Sequence, residues 1–131
     1  MGKLVVLTGL DGSGTTSVAE CLHKMDPSSA LLRTPDHPFT VCRGMIDRLI
    51  KDSCPAAHYL FYLASVIYAS SRIEELIKRG NVYCVRYLID TVVSHRAAGL
   101  PVDLIYETEL YKIRRPDLTV FLSVREEVRQ A

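Results

Sequence analysis

The stretch Gly9-Leu-Asp-Gly-Ser-Gly-Thr-Thr-Ser17 follows the apolar run Leu4-Val-Val-Leu7 and precedes a helical pattern. Gly9, Gly14 and Thr16 match the phosphate-loop spacing G-x-x-x-x-G-K-[ST], with Thr15 where that pattern has lysine. Glycine suits such a loop because backbone N–H groups must come close to phosphate oxygens, and side chains there would obstruct them. Gly9, Asp11, Gly12, Ser13, Gly14, Thr15 and Thr16 are therefore the candidate triphosphate-binding residues. The following helix offers its first N–H groups and the positive end of its dipole to an anion, and the Thr16 hydroxyl is a candidate ligand for Mg2+. Thr15 brings a hydroxyl and no charge. The sequence thus predicts weakened phosphate binding and a larger loss in phosphoryl transfer, where charge shifts across the β- and γ-phosphates. A plain connecting turn is the alternative. A dinucleotide loop is a weaker one, because Ser17 occupies the third glycine position of G-x-G-x-x-G.

The elements that must position this loop read as an α/β chain. Leu4 to Leu7 has no polar alternation, the pattern of a parallel strand covered on both faces. We expect strands over 3–8, 29–33, 81–85 and 118–122. Helical periodicity is expected over 16–25, 41–50, 56–79, 91–98 and 102–113, with Gly80 closing the long third helix. Strands alternating with helices predict a parallel sheet with right-handed crossovers in a single domain, 1–131. Residues 125–131 open a further helical pattern of barely two turns, so the expectation is a chain that is incomplete at its C-terminus.

The 131 residues, 48% of them apolar, suffice for one core. Sixteen basic residues against fifteen acidic ones leave a net charge of +1, and no basic block tracks a nucleic-acid backbone, so no nucleic-acid partner is expected. Cys21, Cys42, Cys54 and Cys84 show no C-x-x-C spacing, which favours reduced thiols and a cytoplasmic setting. The strongest apolar stretch, 59–69, is too short to span a bilayer, and no secretory leader precedes the first strand, so no membrane partner is expected.

The chain resembles the thymidylate kinase family of P-loop nucleoside monophosphate kinases through "LDGSGTTS", "LLRTP", "HYLFYLAS", "VYCVRYLIDT" and "RRPDLTVFL", taken in this order. The resemblance covers nearly the whole chain. It implies a P-loop NTPase fold, a parallel sheet flanked by helices, with ATP as phosphoryl donor, Mg2+ as cofactor, a (deoxy)nucleoside monophosphate such as dTMP as acceptor, and a homodimer. By the same resemblance Asp11 lies by the acceptor sugar and Arg33 and Pro35 fall in the R-E-P segment near the acceptor. Tyr62 stacks on the base, Arg86 and Tyr87 complete a D-R-Y motif, and Thr91 falls near the base. Arg86 and Asp11 become the candidate catalytic pair. An arginine at a strand's end is independently a plausible phosphate fork. Tyr62 equally fits core packing, and His95 reads as a helix-surface residue.

Three features depart from the family pattern. Val85 replaces the D-R-Y aspartate, Val66 stands where a base-contacting arginine is expected, and the arginine-bearing lid and last strand beyond Leu122 are missing from this sequence. Three functions stay open: a nucleotide kinase that needs another cation in place of the loop lysine, an impaired relative that binds nucleotide as a sensor or regulator, and a structural or assembly module with the long helix as its interface.

Overall fold

In the computed structural model, which describes residues 1–129, strands and helices alternate. The order is β1 (Leu4–Gly9), α1 (Thr15–Met25), β2 (Ala30–Arg33), α2 (Phe39–Leu49), α3 (Pro55–Leu76), β3 (Val82–Val85), α4 (Leu88–Ala97), α5 (Leu104–Tyr111), β4 (Leu118–Leu122) and α6 (Glu126–Arg129). The four strands are all parallel, in the spatial order β2-β3-β1-β4. Residues 130–131, the end of the last helical pattern, lie outside the described residues.

Period-two alternation in the strands divides the core into two layers. Leu4 and Val6 of β1, Val82 and Cys84 of β3 and Leu32 of β2 face α3 and α4, where Leu63, Val66, Ile73 and Val92 close the larger cluster. Leu7 and Val85 face the other way, onto Ala19 of α1. With helices on both faces, the inner strands have no polar side to show, which explains their unbroken apolar runs. Leu63 and Ile73 are essentially inaccessible, and each contributes about 2 kcal/mol by burial.

The structure differs from the sequence expectation in three places. The helix expected at 91–98 begins earlier, at Leu88, because Asp90 accepts the Tyr87 backbone N–H at 2.8 Å and caps the first turn. The helix expected to run to Arg79 ends at Leu76. Gly80 instead makes a close approach, since a Cβ there would lie 2.4 Å from the Ser28 carbonyl oxygen. The apolar stripe of α2 does not face the core: Val41, Met45 and Leu49 are all exposed, and α2 buries no residue. Its attachment is the Phe39 ring against Phe61 and Tyr68, together with polar contacts to α3. Strand β4 lies at the edge of the described sheet, with Leu118 and Phe121 exposed. All four cysteines are free thiols, and burial pushes that of Cys84 up to about 12. No described helix is long and apolar enough to cross a membrane.

Candidate functional site

Strand β1 delivers the chain into the loop at Gly9. A Cβ at Gly9 would sit 2.6 Å from the Leu122 carbonyl oxygen and 2.5 Å from Ser13 Oγ, so only glycine fits between β4 and the loop. Gly12 and Gly14 take φ of 82° and 92°, the left-handed region that glycine enters without steric cost. Gly14 is the N-cap of α1 and its carbonyl accepts the Val18 N–H at 3.0 Å. The N–H groups of Thr15, Thr16 and Ser17 precede that first helical bond and have no intrahelical partner. These residues line a cleft of about 500 Å³ together with Asp11, Gly12, Gly14, Arg33, Arg43 and Arg86. Ser13 turns under the loop, its Oγ buried without a hydrogen-bond partner.

A guanidinium lies close to the uncharged Thr15 position. Arg33 ends β2, and its Nη2 donates to Thr16 Oγ1 at 2.9 Å, placing a guanidinium over the start of α1. The sequence placed Arg33 with the acceptor only. Its proximity to the loop follows from β2 and β1 both flanking β3, with Arg33 level with Val85 and Val85 level with Leu7, a strand order no local pattern reveals.

Arg86 lies just past β3 with φ of 66°, a left-handed conformation unusual for a residue with a side chain. Its N–H donates to the Leu7 carbonyl at 2.9 Å and its Nη2 to Asp11 Oδ1 at 2.5 Å, so the strained backbone aims the guanidinium across the loop. Arg86→Gly is therefore expected to fold as stably as the natural chain or more so, by about 1 kcal/mol, while losing nucleotide affinity. Urea unfolding and a nucleotide titration on the same preparation check both halves of that expectation.

Val85 is 5% exposed and packs with Leu7 and Ala19. The position of the family's aspartate has thus become part of the core under α1. Thr15, at the first turn of α1, is also buried.

A second cleft, of about 1020 Å³, opens between α2, α3 and α4. It shares Asp11, Thr34, Pro35, Arg43 and Arg86 with the first, so the two clefts meet at Arg86. Tyr62, half-buried in its wall, donates to Asp47 Oδ1 at 2.7 Å and accepts from Arg43 Nε at 3.0 Å. Thr91 lines the same cleft from α4. Tyr87 does not reach either cleft: it is buried in the core and its hydroxyl donates to the Arg114 carbonyl at 3.0 Å. Val66 is likewise a core residue, wholly inaccessible. His95, expected on a helix surface, is buried and hydrogen-bonded to His58 at 2.9 Å. The sequence offered no signal for that pair, since His58 and His95 come from α3 and α4 and only packing joins them.

Burial pushes the Asp47 carboxyl up, but hydrogen bonds from Tyr62 and His58 and the charges of His58 and Arg43 outweigh it and hold the carboxyl below its ordinary value. A depressed carboxyl stabilises the fold above its unfolded value near about 3.9, and that contribution disappears as pH falls through the lower folded value. Asp47→Asn should consequently cost stability at neutral pH, and the gap from the natural chain should narrow below about pH 4. With the Asp47 side chain 40% exposed, solvent screening limits the neutral-pH gap to about 1 kcal/mol, measurable by urea unfolding at two pH values.

The clefts and the sheet can be set beside known proteins. The thymidylate kinase family model matches residues 7–131. The chain is 28% identical over 130 residues to the probable thymidylate kinase of Methanococcus maripaludis strain C7, covering 95% of this chain and 61% of that protein. It is 27% identical over 132 residues to the thymidylate kinase of Brachyspira hyodysenteriae, covering 96% and 65%. The chain thus spans a little over three fifths of the length of these curated relatives. The thymidylate kinase structure from Candida albicans superposes with a TM-score of 0.77 at 23% identity, covering 98% of this chain and 66% of that one. That from Ehrlichia chaffeensis gives 0.72 at 22%, covering 98% and 78%. The fold is that of the P-loop NTPases, built around a parallel sheet flanked by helices. With a loop, a sheet order and a family match over 7–131 that agree, the chain belongs to the thymidylate kinase family.

Proposed function

We propose that this chain carries the substrate-binding part of a nucleotide kinase that moves the γ-phosphoryl group of ATP to a (deoxy)nucleoside monophosphate such as dTMP. The observation that carries this reading is the meeting of two clefts at Arg86, one framed by helix-start amides and the other by Tyr62 and Thr91. A donor phosphate held by Gly12, Gly14, Thr15 and Thr16 and an acceptor phosphate in the neighbouring cleft would both lie within reach of that guanidinium. Arg86 bridges the two as charge shifts in transfer, with Asp11 as its partner, and Arg33 takes the place of the absent lysine. Tyr62 and Pro35 wall the acceptor, and Thr91 lies near its base.

Mg2+ fits this site in a reduced form. Thr16 offers a hydroxyl, now engaged by Arg33, and Asp11 a mostly exposed carboxylate, whereas Val85 offers none. Among the described residues no group of three or more His, Cys, Asp or Glu side chains could hold a metal. Magnesium keeps several waters and shares phosphate oxygens, so one or two protein ligands suffice. When bound it would neutralise charge on the β- and γ-oxygens.

Coupled ADP-release assays with ATP, magnesium and each nucleoside monophosphate test the proposal. Turnover that prefers one monophosphate supports it. Nucleotide binding in calorimetry without turnover would instead favour the second reading, a binding or regulatory relative, to which the buried apolar Val85 points. The homodimer implied by the resemblance would draw on Leu60 and Tyr68, exposed on the outer face of α3, and light scattering across concentrations tests it.

A further inference from the structure

The acceptor-side cleft contains a row of hydrogen bonds that phosphoryl transfer does not require. His95 Nδ1 lies 2.7 Å from the Thr91 carbonyl oxygen, which only accepts, so Nδ1 carries a proton. In a neutral His95 the other nitrogen, Nε2, is then a lone pair, and it lies 2.9 Å from His58 Nδ1. His58 Nδ1 must therefore donate. His58 Nε2 lies 2.8 Å from Asp47 Oδ1, the carboxylate oxygen that also receives the Tyr62 hydroxyl at 2.7 Å. Three consecutive bonds need three protons, and two neutral imidazoles hold two.

We propose that the His58–His95 pair carries one extra proton, held against the Asp47 carboxylate, and that this proton positions Tyr62 in the cleft wall, so that ligand affinity falls as the pair deprotonates. The positioning part rests on the acceptor reading given above; the proton count does not.

The surroundings favour the proton on His58. Burial, with the nearby charges of His58 and Lys51, holds His95 below its ordinary value, and its bond to the Thr91 carbonyl and the Asp47 charge only partly oppose this. Asp47 is held as a carboxylate, as described above. The charged and titratable groups facing the pair are Arg43, Asp47 and Lys51 from α2 and the turn after it, and Tyr59 and Tyr62 from α3. From α4, Asp90 is already engaged by the Thr8 hydroxyl and the Tyr87 N–H, and from α5 Glu107 acts on the Tyr59 hydroxyl. Among the described residues only Asp47 meets the pair directly as an anion. Without the extra proton, a lone pair would face either the Asp47 oxygen or the neighbouring imidazole at under 3 Å, and the His58 ring would have to turn away. Asp47 would then lose a donor, and Tyr62 the fixed oxygen on which its hydroxyl rests.

Two measurements on the full chain decide this. In the ligand-free protein, nitrogen-15 NMR of the imidazoles at neutral pH should show one buried histidine protonated on both nitrogens and the other as the Nδ1–H tautomer. Two neutral rings at that pH would overturn the proton count. Thymidine, which has no phosphate to titrate, then serves as calorimetric probe. Its affinity should fall by up to about tenfold per pH unit across the range in which the pair deprotonates. His58→Gln, whose amide donates to Asp47 at every pH, should bind with a flat profile, within about threefold of its own mean. Asp47→Asn should flatten the profile in the same way, and serves where the glutamine variant folds poorly. An unchanged slope in a folded variant would overturn the positioning role. The shared proton seen by NMR with thymidine and dTMP bound at no pH would overturn the acceptor reading and the positioning role together, while upholding the proton count.

Discussion

Arg33→Ala is expected to lower phosphoryl transfer by about 10²–10³-fold, with a smaller loss in ATP affinity. The loop amides and the dipole of α1 can hold a triphosphate in its ground state without a side-chain cation. Transfer is more demanding, because negative charge moves onto oxygens that a lysine would meet and that Thr15 cannot. Arg33 is the guanidinium bonded to Thr16, next to the lysine position. The same variant therefore gains most from Thr15→Lys, which should recover a large part of the lost rate. In the natural background Thr15→Lys should give a smaller gain, because two cations would then compete for one group of oxygens. A coupled assay of the four combinations measures the interaction between the two sites as a double-mutant cycle. Additive effects, or an Arg33→Ala rate within threefold of the natural chain, would remove Arg33 from this role.

Val66→Arg is the second large effect, and its direction opposes what the family pattern invites. Four residues after Tyr62 the resemblance expects an arginine that meets the base, so restoring one ought to improve acceptor binding. The structure predicts unfolding instead. Val66 is wholly inaccessible, inside the cluster formed by Leu4, Val6, Val82 and Cys84, and a guanidinium there would be buried without a partner. Such changes cost about 4 kcal/mol or more, a large share of the stability of a domain this small. Thermal melts and urea unfolding should show a greatly destabilised or unfolded chain. A folded variant with tighter dTMP binding would mean that α3 is rotated relative to the position described.

What could be read from the sequence was local. The strand–loop–helix unit around Gly9 to Thr16 lies in one contiguous stretch, so the fold class and the place of the loop between β1 and α1 were legible. Element ends were legible to within a few residues; α4 starts three residues early because Asp90, itself held by the distant Thr8 hydroxyl, accepts the Tyr87 N–H. Features set by spatial neighbours were not legible. The α2 stripe looks like a core face until the structure shows α3 occupying the sheet. Tyr87 fits a motif by position but is turned inward by its backbone, and Arg33 reaches the loop only because β2 and β1 both flank β3. The His58–His95 pair joins residues 37 positions apart, and no sequence spacing announces it.

The most direct test of the central claim is calorimetric titration of the full chain with inorganic tripolyphosphate, ATP and adenosine. If helix-start amides and Arg33 grip the anion, tripolyphosphate and ATP bind, adenosine binds far more weakly, and Arg33→Ala and added salt both weaken the two anions. Equal binding of adenosine and ATP, or no binding of either anion at millimolar concentration, would contradict it.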